Sequence, residues 1–289
     1  MKTKPAFERV LIVGLGLLGG SLALALKKRR LARRVVAWGR RPSSLVPALR
    51  AGLVDEVHTT VDCARGADLI VLCAPFTRFE GQLRALAVVA PKGCLLTDVG
   101  SVKGAQVARW HRAAGPLRFV ASHPMAGGEK TGWRNASPDL FEGAACLLTP
   151  LAATDRRALL EVTRLWRALG MRVSRVSPEE HDRLIARVSH VPHAMAFALA
   201  AVQARGRRIQ DFAFAGKGWF DTSRVAASDP ALWADIFLHH PRRMDLALQG
   251  LEAELKGLRR LLKAGRRPAL EAWLARASSF RRATEGRRG

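Results

Sequence analysis

The residue of this chain best suited to move a proton near neutral pH is His123, set among small residues in Ser122-His123-Pro124-Met125-Ala126-Gly127-Gly128-Glu129. Well before it stands a glycine fingerprint, Gly14-Leu15-Gly16-Leu17-Leu18-Gly19, of the kind that cradles a dinucleotide pyrophosphate. A nucleotide cradle followed by an imidazole in a Gly-rich turn suggests hydride transfer coupled to proton removal. Two further groups could join them. Asp98-Val99-Gly100-Ser101-Val102-Lys103 ends a predicted strand, which offers Ser101 either as a hydrogen-bonding group near the nicotinamide or as a helix N-cap. Ser189-His190-Val191-Pro192-His193 lies inside an apolar helix, where Ser189 and His193 share a face and His190 points about 100° away. Pro192 removes a backbone donor there and is expected to kink the helix near Val188. A polar pair beside such a kink is costly unless it serves a purpose, although His193, and more so His190 and His181, could also be satisfied core histidines.

These groups need elements to hold them. Residues 9–13 form a β-rich run ending at Gly14, and an apolar helix continues to about Lys28. Residues 35–38, 68–74, 93–98, 118–122, 145–149 and 171–174 read as further strands, with a helix over 43–52. Strands alternating with helical segments imply a parallel sheet covered on both faces. Near residue 177 the character changes. Ser177-Pro178-Glu179-Glu180 is a helix start, with Ser as N-cap and Pro in the first turn, and Ser228-Asp229-Pro230 is a second. Helical spacing recurs over 243–263 and 268–283, and the basic tail after about Arg281 is expected to fray. The expected fold is α/β: a Rossmann-type doubly wound parallel sheet over residues 1–176, then an all-helical domain over 177–289.

Bulk properties narrow the function classes. At 289 residues, and roughly 100–200 residues per domain, two domains are expected. No uninterrupted apolar run of about 18 residues appears, so a membrane span is not expected. Met1-Lys2-Thr3-Lys4 leads almost directly into a strand without a secretory leader, and Cys63, Cys73, Cys94 and Cys146 lack metal-ligand spacing. No metal site is expected, and the cysteines read as reduced core thiols of a cytoplasmic protein. The formal charge of +24 raises the alternative of a nucleic-acid-binding protein. However, 38 of the 48 basic residues are Arg, scattered in pairs such as Arg29-Arg30 and Arg207-Arg208, with no interleaved aromatics and no Tyr anywhere. That pattern fits a solvated surface that steers small anions, so no nucleic-acid or membrane partner is expected.

Cofactor choice turns on the end of the second strand. NAD sites usually place Asp or Glu about 20 residues past the fingerprint, against the ribose 2′-hydroxyl. Here Trp38-Gly39-Arg40-Arg41 supplies no acid and two guanidiniums, which can pair with a 2′-phosphate. NADP is therefore expected, with NAD as the alternative. Gly14, Leu15, Gly16, Leu17, Leu18, Gly19, Arg40 and Arg41, with Ala74 and Pro75 closing the strand over 68–74, are the expected cofactor contacts.

Taken in order, the fingerprint with Gly20-Ser21, the Asp98–Lys103 turn, His123–Glu129, His181-Asp182 with Ser189–His193, and Arg224-Val225-Ala226 leading to Trp233 resemble the prephenate/arogenate dehydrogenases. The resemblance runs over residues 8–240. It implies that His123 is the catalytic base, Ser101 its hydrogen-bonding partner and Arg224 the anchor for a substrate carboxylate. It also implies that His193 and Ser189 meet the far end of the substrate, that Glu129 lies at the pocket rim, and that the helical domain forms a homodimer. The reaction implied is oxidative decarboxylation of prephenate or arogenate with hydride transfer to NAD(P)+, a step of tyrosine biosynthesis. A chain of this length is expected to lack a fused mutase or effector domain, so any tyrosine control would act at the active site. Two residues depart from the pattern: many relatives carry an acid at the end of the second strand, and some carry a hydroxyl residue where Gly128 stands. The rival enzyme, a hydroxyacid or imine oxidoreductase, would favour a lysine in the helical half, where residues 181–240 offer only Lys217.

Overall fold

The computed structural model describes residues 5–205 and 209–285. Strands β1 (Phe7–Val13), β2 (Ala32–Trp38), β3 (Glu56–His58), β4 (Leu69–Leu72), β5 (Leu95–Asp98) and β6 (Arg118–Val120) make one sheet in the order β3-β2-β1-β4-β5-β6, with every pair parallel. Side chains alternate across it. Val10 and Ile12 of β1 enter one apolar cluster with Leu22, Leu26 and Trp166, and Leu11 and Val13 enter the other with Leu83, Leu86 and Trp110. Burial on both faces explains why these strands read as continuous apolar runs. Helices α1 (Leu17–Lys28), α2 (Pro42–Arg50), α3 (Phe79–Val89) and α4 (Gly104–Ala113) make the crossovers. β3 escapes a sequence reading because its three residues contain one apolar side chain; Arg9 holds it through two 2.8 Å hydrogen bonds to Glu56.

The last strands do not extend this sheet. β7 (Ser122–Pro124), β8 (Ala145–Leu148) and β9 (Arg172–Arg175) form a separate sheet, antiparallel between β7 and β8 and parallel between β8 and β9. The run over 118–122, expected as one strand, divides at Ala121, where the chain changes partner. Polar groups drive the change: the Thr97 hydroxyl donates to the Val120 carbonyl (2.7 Å) and Ser122 N–H to Asp98 Oδ1 (3.0 Å), drawing the chain across the end of β5. Helix α5 (Arg156–Ala168), capped by Asp155, packs its Trp166 indole N–H onto the Ser122 hydroxyl at 3.1 Å.

Beyond residue 177 the described residues are helical. Helix α6 (Pro178–Ile185) starts as expected, its Ser177 hydroxyl accepting from Glu180 N–H at 3.1 Å. The break expected from Pro192 takes the form of a π-helical turn, Ala186–His190, between α6 and α7 (Val191–Ala204). Widening the helix there removes the need for the donor that proline lacks. Read through that turn, Pro178–Ala204 is long and apolar enough to cross a membrane by length and mean hydropathy (1.3) alone, although polar residues interrupt its apolar run. Its buried face carries His181, Asp182 and His190 instead. Helices α8 (Lys217–Ser223) and α9 (Pro230–His239) follow.

Packing divides the chain into compact units Met1–His239 and His240–Gly289, so the change of character near 177 lies within the first unit. The second unit holds α10 (Pro241–Ala264) and α11 (Arg267–Glu285), joined at Gly265, whose φ of +61° suits a residue without Cβ. The fraying expected after Arg281 does not occur as far as Glu285, which remains helical and pairs with Arg281 at 2.9 Å. The pair Arg207-Arg208, the N-terminal Met1-Lys2-Thr3-Lys4 and the tail over 286–289 lie outside the described residues.

Candidate active site

The Gly-rich loop stands where strand order reverses, between β1 and β4, at their carboxyl ends. Gly14 has φ +102°, and a Cβ there would lie 2.9 Å from the Ala74 nitrogen at the end of β4. A Cβ on Gly19 would fall 2.1 Å from the Gly14 carbonyl oxygen, so the helix can approach the strand only without one. Gly16 is different: nothing lies within 4 Å of its Cβ position. It is also the N-cap of α1, with no side-chain capping bond and no acid in the first turn. An open glycine at the positive end of an uncapped helix fits a pyrophosphate, so these residues suit a dinucleotide. Ala74 borders the loop, and Pro75 follows it in the chain. Arg40 and Arg41 follow β2 on the same carboxyl edge, exposed and engaged by no described ion pair. The cysteines are free, and burial pushes the Cys63 thiol up to about 11 and Cys94 up to about 12, as expected of unreactive core thiols.

His123 occupies the middle of β7, paired opposite Leu147, and is 7% exposed. Its Nδ1 lies 2.8 Å from Nε2 of His181 on α6, and His181 Nδ1 lies 2.8 Å from Asp182 Oδ1. Ser101, the partner implied by resemblance, makes no described hydrogen bond to His123. Nor does it cap α4, whose N-cap is Lys103, so the half-buried hydroxyl is engaged by no described protein group. The turn carrying it is held from below. Lys103, wholly buried, donates from Nζ to Asp98 Oδ2 and to the Gly100 carbonyl, both at 2.7 Å, and Gly100 N–H donates to the same carboxylate at 2.8 Å. Asp98 also receives Ser122 N–H, next to His123, and its carbonyl accepts from the Ser122 hydroxyl. One buried carboxylate therefore ties the Ser101 turn to the His123 strand.

The π turn and the start of α7 supply the far side. His193 Nδ1–H donates to the Ser189 carbonyl at 2.8 Å, taking up an oxygen of the interrupted turn. The expected pairing of these residues thus runs through the Ser189 backbone. The His193 ring stacks on Trp233 (centroids 3.7 Å, planes 22° apart), and His190 meets the same indole edge-on at 5.8 Å. Arg224, in a 3₁₀ turn after α8, donates from Nη1 to Glu129 Oε2 at 2.8 Å, across the mouth of the loop that follows His123. Burial lowers the His193 pKa, and the positive charge of Arg224 adds to that shift. His190 and His193 thus pack on Trp233, and Arg224 pairs with Glu129 of the loop that follows His123. Sequence reasoning left His181, Asp182, Lys103 and Trp233 without roles. The adjacent His181-Asp182 in a helix could have been a signal, but nothing in the sequence pointed that pair at His123.

Burial holds the His123 pKa well below its ordinary 6.5, reinforced by His181, Lys103 and His190, and burial likewise lowers His181 despite its bond to Asp182. Both rings are neutral in the folded chain and would take up protons when unfolded. Their contribution to stability is therefore fully present above pH 6.5 and is lost as pH falls below it. The urea midpoint should drop when pH is taken about one unit below 6.5, and drop less in His123→Asn. An equal drop in both proteins would show that His123 titrates normally.

Two family models cover the chain: prephenate dehydrogenase, nucleotide-binding domain, over residues 22–175, and prephenate dehydrogenase, dimerization domain, over residues 177–276. The chain is 34% identical over 242 residues to the prephenate dehydrogenase of Bacillus subtilis, covering 81% of this chain and 64% of that protein, less than two thirds of its length. It is 32% identical to the cyclohexadienyl dehydrogenase of Zymomonas mobilis, covering 88% of each. The structure of prephenate dehydrogenase from Aquifex aeolicus in complex with hydroxyphenyl propionate and NAD+ superposes with a TM-score of 0.89 at 33% identity, over 96% of this chain and 98% of that one.

Proposed function

The chain belongs to the prephenate dehydrogenase family, and from that premise we propose that it oxidatively decarboxylates prephenate, arogenate or both, in tyrosine biosynthesis. The observation that carries the proposal is His123. It is a buried imidazole with one nitrogen committed to His181, on β7, which Ser122 ties to Asp98 at the carboxyl end of β5 in the sheet that bears the glycine cradle. Its other nitrogen, Nε2, takes the proton of the substrate's ring hydroxyl. The nicotinamide, when bound, accepts hydride from the carbon carrying that hydroxyl. Loss of the ring carboxylate as carbon dioxide aromatises the product and makes the step effectively irreversible. Ser101 orients the reacting groups by hydrogen bonding from the turn that Lys103 and Asp98 hold in place. Arg224 anchors a substrate carboxylate, with Glu129 at the rim and His193 and Ser189 at the far end, and this is positioning chemistry. The scattered arginines draw anionic substrates toward the protein. The helical half from residue 177 completes the substrate site and forms a homodimer in the cytoplasm.

NADP+ is the proposed cofactor, although the Aquifex structure holds NAD+. The preference rests on residues of this chain: after Trp38 no carboxylate repels a 2′-phosphate, and Arg40 and Arg41 are exposed beside the expected ribose position. A hydrogen bond to a charged group contributes roughly 1.5–3 kcal/mol, so one or two such contacts should favour NADP+ at least about tenfold. Gly39→Asp with Arg40→Ala should reverse the preference. The new Cβ would stand 3.1 Å from the tip of Leu45, a flexible end that can give way. Values of kcat/KM for both cofactors, with prephenate and with arogenate, test substrate and cofactor together. A wild-type preference for NAD+ would show that the two arginines serve only the surface, and turnover of neither substrate would overturn the assigned reaction.

A further inference from the structure

We infer that His181, braced by Asp182, is a positioning residue that fixes His123 in the tautomer whose Nε2 lone pair is turned toward the substrate. The inference rests on the reading of His123 as the base, and it concerns a pair of residues to which neither the resemblance nor the comparisons give a role.

The Asp182 carboxylate can only accept. With Oδ1 2.8 Å from His181 Nδ1, that nitrogen must carry the proton. A neutral His181 then has a bare Nε2, which is the atom 2.8 Å from His123 Nδ1. His123 Nδ1 must therefore be the donor, leaving its Nε2 unprotonated. If His181 held a second proton, both its nitrogens would donate, His123 Nδ1 would have to accept, and the His123 proton would sit on Nε2, where it blocks the base. Burial of the ring opposes that second proton, although the Asp182 carboxylate by itself favours it. His181 is fully buried and Asp182 is 4% exposed, so no water competes for the bonds. Asp182 Oδ1 also accepts from Lys103 N–H at 2.9 Å, which fixes the carboxylate to the turn bearing Ser101. Gly104 makes room for it: at φ +37°, a Cβ there would lie 2.5 Å from Asp182 Oδ2. One carboxylate thus registers α6 against both the Ser101 turn and β7.

Two substitutions separate the roles of the ring nitrogens. His181→Asn keeps a donor for Asp182 but places nothing where Nε2 stood. His181→Gln can bring its carbonyl oxygen to that place and accept from His123. The Asn variant should lose about 10–10²-fold in kcat with KM and cofactor affinity nearly unchanged, and Gln should recover most of the loss. Nitrogen-15 NMR of the full-length wild-type protein, labelled at histidine, reads the tautomer with no substrate present. It should show His123 protonated at Nδ1 and bare at Nε2. A His123 protonated at Nε2, or an Asn variant with wild-type kcat, would overturn the inference. Because the NMR reading requires no turnover, failure on prephenate and arogenate would refute the assigned reaction while this test still decides the tautomer.

Discussion

His123→Asn should fold, bind its nicotinamide cofactor with near-wild-type affinity, and lose about 10²–10⁴-fold in kcat, the range expected when a positioned general base is removed. Asparagine is the informative substitution because its side-chain amide reaches about as far as Nδ1. It can go on donating to His181 Nε2, so the buried chain through His181 to Asp182 survives, while the acceptor at Nε2 disappears. Steady-state kcat and cofactor titration should therefore separate cleanly. A variant that turns over near the wild-type rate would remove His123 from the chemistry.

Arg224→Ala should act on KM. Truncating one partner of a desolvated charge pair costs about 2–5 kcal/mol. The Arg224 side chain is 59% exposed without a ligand, so the lower end applies, roughly a thirtyfold rise in KM. Glu129 now holds the guanidinium at the rim, and a bound substrate carboxylate would have to share or replace that contact. Since Arg224 makes no described contact with His123, kcat should fall less than kcat/KM. An unchanged KM would mean that Arg224 is one more surface arginine.

The parts of the fold that were legible in the sequence are those where local pattern and global packing agree. The strand–glycine–helix unit at β1 and α1 could be read because Gly14 and Gly19 each have a steric reason to be there, and the Ser177-Pro178 cap because its hydrogen bond is local. The division of 118–122 between two sheets was hidden because it depends on Thr97, Asp98 and Trp166, which reach Ser122 only in the folded chain. The π turn was partly legible: Pro192 announced an irregularity but not its kind. In the site, His123 stood out by type and setting, whereas its partner did not. His181 lies 58 residues further on, in a helix whose other residues give an ordinary amphipathic pattern. Arg224 was concealed by the abundance of arginine around it, and its bond to Glu129 is what sets it apart.

In the proposed reaction, hydride removal, proton removal at His123 and loss of the ring carboxylate occur together in one enzyme. The most direct measurement is the product balance of the wild-type protein supplied with prephenate or arogenate and oxidised cofactor. One carbon dioxide should be released for each cofactor reduced, with an aromatic phenol as the organic product. Reduced cofactor formed without carbon dioxide would mark a plain alcohol oxidation of the hydroxyacid type and would contradict the account.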